Sequence, residues 1–290
     1  MMKSLTLKSL TIISLLSSTL IANETDDNVL KYEEQRIKSA IARAQGKINS
    51  IDVVLKKDLQ NDGWYGYVFN LDINIQGKQL IQKDTLFAKG NLIAPDLINT
   101  KTKRSFKDVM YPVLTKEYFS KEHLIAGNPN AKHSVVVFSD PLCPICIDEV
   151  PFIMKNIMKN PDNVALYYYH MPLDMHPTAR TLSKASMIAK EQGIKDIDLK
   201  VYDTDFSNFY DAYKEKDNQK ALNFFNKTFN TKITMAQINN KKYEDKLQHD
   251  LKMSEDAFVN GTPTVFFDGV IDKTRMKYEA FLKKNNGMVK

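Results

Sequence analysis

Phe138-Ser139-Asp140-Pro141-Leu142-Cys143-Pro144-Ile145-Cys146 is the stretch on which the reading of this chain turns. It closes Ser134–Ser139, a continuous apolar run bounded by turn residues, which suits the centre of a buried sheet. Pro141 to Asn160 then reads as a loop followed by a helix. A strand therefore ends and a helix begins at or just after Cys143. Pro144 fits the first helical turn, where a missing N–H leaves no intrahelical bond unmade. Cys143 is thus set over unpaired backbone N–H groups and the positive end of the helix dipole. Both favour the thiolate, which is the nucleophilic form. Cys146 follows on the same helical face, a spacing that suits the roughly 4.4–6.8 Å between Cα atoms that a disulfide requires.

The roles follow from position. Cys143, nearer the helix start and the surface, attacks a substrate disulfide or is attacked by a substrate thiol. Cys146, a turn deeper, resolves the mixed disulfide. The Cys143–Cys146 disulfide is the redox group; no separate cofactor and no metal are expected. Beside Pro144, the Ile145 side chain brings neither a hydrogen bond nor charge to the sulfur. A milder oxidant than a Cys-Pro-His-Cys site is therefore expected. Two other readings of the pair stay open. One is half of a zinc site, but structural zinc takes four ligands. The 290-residue chain has only 2 cysteines, and His123, His133, His170, His176 and His249 are scattered. The other is an inert structural disulfide, whose loop is too small to restrain the unfolded chain much.

A second signal stands near the far end: Val259-Asn260-Gly261-Thr262-Pro263-Thr264-Val265-Phe266-Phe267. Proline is excluded from strand centres, yet Pro263 directly precedes a buried strand. A cis bond is one reading of such a proline. It would turn Thr262 outward, leaving its backbone N–H and C=O free for an extended substrate. An ordinary turn proline is the other.

Met1–Ala22 reads as a secretory signal peptide, with Lys3 and Lys8 ahead of the apolar stretch Leu10–Ile21. That stretch is short of the roughly 20 residues that span a bilayer, so an exported, soluble protein is expected. Asp26–Ala44 follows as a helix stopped near Gly46, then strands at Ile48–Leu55, Tyr65–Ile75, Leu80–Ala88 and Leu92–Ile98. Tyr65, Tyr67, Phe69, Leu71, Ile73 and Ile75 alternate with polar residues, the pattern of a half-buried antiparallel strand. Residues 23–112 thus read as an α+β domain, and 113–130 as a linker with a short helix at Lys116–Ala126 and a loop. Residues 131–290 form an α/β domain. Its order is strand, helix, the strand Val164–His170, a helical insertion at about 172–256, two strands and a closing helix at Lys273–Lys284. Within the insertion Tyr243, Leu247, Leu251, Ser254 and Phe258 share one helical face. The formal charge of +6 is dispersed as Lys; Lys101–Arg104 reads as solvated surface, and no nucleic acid is expected.

The Cys-Pro-x-Cys after a strand, together with the distant Gly-Thr-Pro-Thr, resembles the thioredoxin fold. More narrowly, residues 138–146 resemble the bacterial periplasmic DsbC/DsbG family of thiol–disulfide oxidoreductases. The likeness is specific over roughly 130–170 and 255–285. It implies a periplasmic protein of a Gram-negative cell, with Cys143 as nucleophile, Cys146 as resolving cysteine, and cis Pro263 facing them with Thr262 beside it. The N-terminal domain would be a dimerisation module, making a homodimer with a substrate cleft. Implied partners are unfolded or misoxidised exported proteins and a membrane electron donor of the DsbD type. A dimeric disulfide isomerase or reductase is the leading function. The alternatives are a DsbA-like dithiol oxidase with a DsbB-type partner, and a chaperone-like binding module. Three departures from the family stand out. The N-terminal region is longer than usual, the extra structural disulfide of DsbC is absent, and Val137 occupies the place where thioredoxin and DsbA carry a buried carboxylate.

Overall fold

The structure, a computed structural model, describes residues 13–210 and 217–282. The chain divides into two compact units, Met1–Met110 and Tyr111–Lys290.

In the first unit, helix α1 (Ile13–Ile41) runs into a 3₁₀ turn at Ala42–Ala44. The helix thus starts inside the stretch read as a signal peptide, whose residues 1–12 lie outside the described residues. A four-stranded antiparallel sheet follows: β1 (Lys47–Asp58), β2 (Tyr65–Ile75), β3 (Lys78–Lys89) and β4 (Leu92–Ala94), in that order. Gln76 and Gly77 both take positive φ, 53° and 82°, which matches the twist a two-residue hairpin needs. The alternation in β2 does what its period requires. Tyr67, Phe69, Leu71 and Ile73 are buried against Val29, Ile37 and Ile41 of α1. The strand expected over Leu92–Ile98 stops at Ala94, because Pro95 has no N–H to give the ladder. Ile98–Asn99 (β5) pairs instead with Arg104–Ser105 (β6).

The second unit starts ahead of residue 113, so the stretch read as a linker belongs to it. The expected helix at Lys116–Ala126 is a 3₁₀ turn at Lys116–Phe119 and a strand, β7 (Leu124–Ala126). Leu124–Ala126 is taken up by an open sheet edge, and pairing there outweighs the helical pattern. Gly127 makes the arrangement possible. Its φ is +79°, and a Cβ would lie 2.1 Å from the Val164 carbonyl oxygen.

The sheet is completed by β8 (His133–Ser139), β9 (Val164–His170), β10 (Thr264–Phe267) and β11 (Val270–Ile271), in the order β11-β10-β8-β9-β7. β8 and β9 are parallel, joined through α2 (Pro144–Met158). Val137 lies beside Tyr168 and Ser139 beside His170. Alternate residues face opposite ways. Val135, Val137, Leu166 and Tyr168 pack with α2 on one face. Val136, Phe138, Tyr167 and Tyr169 pack with Tyr118 and Met253 on the other.

Between β9 and β10 lie α3 (Ala179–Glu191), α4 (Ile197–Tyr202), α5 (Ser207–Tyr210), α6 (Asn218–Phe229), α7 (Met235–Ile238) and α8 (Lys241–Asp256). They share a core of their own that includes Leu182, Phe206, Leu222 and Phe225. The α6 start is capped by Asp217, which accepts from the N–H groups of Gln219 and Lys220; α7 opens on a Thr234–Gln237 capping box. The expected closing helix is reduced to a 3₁₀ turn at Lys277–Phe281, and residues 283–284 lie outside the described residues. The Asp272 carboxylate takes the N–H groups of Thr274 at 3.0 Å and Lys277 at 2.9 Å, a local turn that competes with helix initiation.

Candidate active site

Cys143 occupies the cap position of α2, with φ −70° and ψ 123°, and Pro144 opens the helix. Its backbone carbonyl accepts the Ile147 N–H at 3.0 Å, so the chain is already helical on its downstream side. Cys143 is 6% exposed and Cys146 fully buried. Both are free thiols.

The Thr262–Pro263 bond is cis. Thr264 pairs with Phe138 across β10 and β8, which brings the segment before β10 level with the loop after β8. The Cys143 thiol donates to the Thr262 carbonyl oxygen at 3.5 Å. The Thr262 hydroxyl is buried without a hydrogen bond of ordinary geometry, close to both sulfurs.

The two sulfurs are electrostatically unequal. The Cys146 thiol, donating to Cys143, holds the Cys143 thiol well below its ordinary range. Burial opposes this, while the backbone N–H groups of Cys146 and Ile145 and the Thr262 hydroxyl assist it. Ile145 thus contributes through its backbone, although its half-exposed side chain brings nothing. Burial pushes Cys146 the other way, far above its ordinary range, and the neighbouring Cys143 adds to the rise. A reactive thiolate above a protonated reserve thiol is the arrangement that stepwise disulfide exchange needs.

A layer around the pair has no counterpart in the sequence reading. Asp140, fully buried, accepts from the N–H groups of Leu142 and Leu173, each at 2.7 Å, and lies 2.8 Å from the His176 ring. That hydrogen bond raises the His176 pKa, burial opposes it, and the charges of Asp140 and Cys143 add to it. Asp140 sits inside the quoted motif, but nothing in the sequence pairs it with His176. Among the described residues no group of three or more His, Cys, Asp and Glu is placed to hold a metal ion, and no helix is long and apolar enough to cross a membrane.

Residues 120–284 match the family model Thioredoxin_4, described as thioredoxin. No curated protein matches the chain. Three similar solved structures can be named. A thioredoxin-like oxidoreductase from Silicibacter pomeroyi DSS-3 is 16% identical, with 55% of this chain and 87% of that one covered and a TM-score of 0.46. BdbD from Bacillus subtilis is 19% identical, covers 58% and 91%, and has a TM-score of 0.43. A putative protein-disulfide isomerase from Pseudomonas syringae is 14% identical, covers 53% and 90%, and has a TM-score of 0.45.

Proposed function

The chain belongs to the thioredoxin family that this model describes, and from that premise we propose that it is an exported thiol–disulfide oxidoreductase acting on protein substrates. One observation carries the reading: Cys143 caps a helix, faces the Thr262 carbonyl, and has the buried Cys146 a turn beneath it. Cys143 attacks a substrate disulfide and one substrate sulfur leaves as thiolate. Cys146 then attacks Cys143, releases the reduced substrate and closes the Cys143–Cys146 disulfide. Thr262 and Pro263 flank the sulfur and offer backbone to an extended substrate.

The finer reading is a periplasmic disulfide isomerase or reductase of the DsbC/DsbG type. It would work as a homodimer through residues 23–112 on misoxidised exported proteins, kept reduced by a DsbD-type membrane partner. The quoted sequence likeness supports this, as does Thr262 before Pro263. A second reading, a dithiol oxidase served by a DsbB-type partner, has its own support. Several groups stabilise the Cys143 thiolate, and a stabilised reduced form makes a disulfide more oxidising. A chaperone-like binding role rests only on the N-terminal α+β unit.

The test is the reduction potential of the pair, together with the redox state of its cysteines in the exporting cell. A reduced pair supports the isomerase. An oxidised pair with a potential near the strong-oxidant end, about −120 mV, supports the oxidase and ends the isomerase reading. Retained insulin reduction in Cys143→Ser would refute the exchange mechanism itself.

A further inference from the structure

Exchange demands that Cys146 lose its proton, and the sheet beneath it offers no carboxylate. Val137, fully buried in the same cluster as Cys146, stands in that layer. Hydroxyls are present instead. Ser139, Tyr168 and His170 point to the face of the sheet on which α2 and α4 pack, as their alternation with Phe138 and Tyr169 dictates. The Ser139 hydroxyl lies 2.6 Å from the Tyr202 hydroxyl, which lies 2.7 Å from the Tyr168 hydroxyl. All three residues are buried.

Tyr168 also lines a cavity of about 640 Å³, together with His170, Asp198, Asp250 and Lys190. His170 Nε2 is 3.6 Å from an Asp198 oxygen, while its buried Nδ1 has no hydrogen-bond partner. Burial pushes the His170 pKa down, against the pull of Asp198 and Asp250 and with the help of Lys190 and His123. The ring therefore stays neutral, and with its Nε2–H turned to Asp198 its Nδ1 is left as an unpaired hydrogen-bond acceptor.

We propose that Ser139, Tyr202 and Tyr168 form a proton relay that carries the Cys146 proton to the cavity bounded by His170 and Asp198. This rests on the reading of Cys143 and Cys146 as an exchange pair. The Cys146 thiol shares a buried cluster with Tyr168 and Tyr202 and passes its proton to Ser139, the hydroxyl that favours the Cys146 thiolate. Ser139 passes its own to Tyr202, Tyr202 to Tyr168, and Tyr168 to a base or water in the cavity. Each hydroxyl ends with one proton, turned the other way. The Cys146 thiolate then attacks the Cys143 sulfur of the mixed disulfide, and the departing substrate thiolate takes a proton from solvent. Tyrosines held neutral by burial suit this, because each gives and receives in the same step.

One equivalent of dithiobis-nitrobenzoate added to the reduced protein separates the two steps. The first coloured thiolate released reports attack by Cys143, and the second reports resolution by Cys146. In Ser139→Ala and Tyr202→Phe the second release slows about a hundredfold at neutral pH and rises about tenfold per pH unit as hydroxide takes over. Ser139→Thr, which keeps the hydroxyl, restores both the rate and the flatter profile. A second release in Ser139→Ala with the wild-type rate and pH profile overturns the relay, as does failure of Ser139→Thr to rescue a slowed one. Should Tyr202→Phe not fold, the Ser139 pair decides. Absence of the first release in the wild type overturns the exchange reading, and the relay with it.

Discussion

The Cys143 thiol and the Thr262 carbonyl oxygen meet at 3.5 Å although they stand 119 positions apart in the chain. Either motif alone has an ordinary explanation: a two-residue loop closed by cysteines, a proline ahead of a strand. Their contact makes one site of them. It follows from the antiparallel pairing of β10 with β8, which sets Val265 beside Val137.

The thiolate absorbance of the reduced protein is expected to titrate well below the ordinary cysteine value of about 8.5, and the midpoint should rise in Cys146→Ala, which removes the main donor to Cys143. A folded-state pKa below the unfolded value contributes stability that is complete above about pH 8.5 and is lost as pH falls through the folded midpoint. The urea midpoint of the reduced protein should therefore gain on that of Cys143→Ser as pH rises towards 8.5. Above that, the raised pKa of Cys146 works the other way. A gap that stays constant with pH would contradict the assignment.

Asp140→Ala should destabilise the second unit by about 3 kcal/mol, since two backbone N–H groups and the His176 ring lose their acceptor. In the wild type, NMR titration of His176 should give a pKa above the ordinary histidine value of about 6.5, and Asp140→Asn should bring it down. The raised pKa contributes stability that is complete below about pH 6.5 and lost as pH climbs through the folded value. A His176 titration unchanged by Asp140→Asn would rule out the coupling.

Asp250 is buried with one oxygen 2.7 Å from the His123 ring and the other accepting the His170 N–H at 3.0 Å. It ties α8 to β9 and to the segment before β7. Asp250→Ala should cost about 3 kcal/mol in chemical denaturation, with Asp250→Asn intermediate because one oxygen can still accept. Equal stability of the two variants would show that charge, not hydrogen bonding, is what matters there.

Gly127→Ala meets two obstacles, a positive φ and a carbonyl oxygen in the way. A loss of about 2–3 kcal/mol is expected, along with faster hydrogen exchange at Tyr167 and Leu166, the β9 partners of β7. Wild-type exchange there would mean that the edge accommodates the side chain.

These positions show where sequence reasoning works and where it stops. β2 is legible because its apolar residues alternate without a break, and β8 because its apolar run is continuous. The Cys143 site is legible because strand end, proline and spacing fall in nine consecutive residues. β7 is not, since three residues take their conformation from a sheet edge supplied by β9. On α8 the expected stripe includes Leu251 and Phe258, yet the buried positions are Leu247, Asp250, Met253 and Ser254. An aspartate on a helix reads as solvent-facing until its histidine partner is known. Ser139, Tyr168 and Tyr202 carry no local signal either, because the hydroxyl chain exists only once β8, β9 and α4 are stacked.

The outermost strands of the five-stranded sheet, β7 and β11, contain three and two residues. So short a border gives a foreign polypeptide almost nothing to zip onto, and edge-to-edge polymerisation is blocked at both margins. In the first unit β1 is an outer strand of twelve residues, but register breaks at Ile48/Ser50 and Val53/Leu55 interrupt it and its far end carries Lys56 and Lys57. The same safeguard against aggregation is thus achieved by brevity in one sheet, and by irregularity and charge in the other.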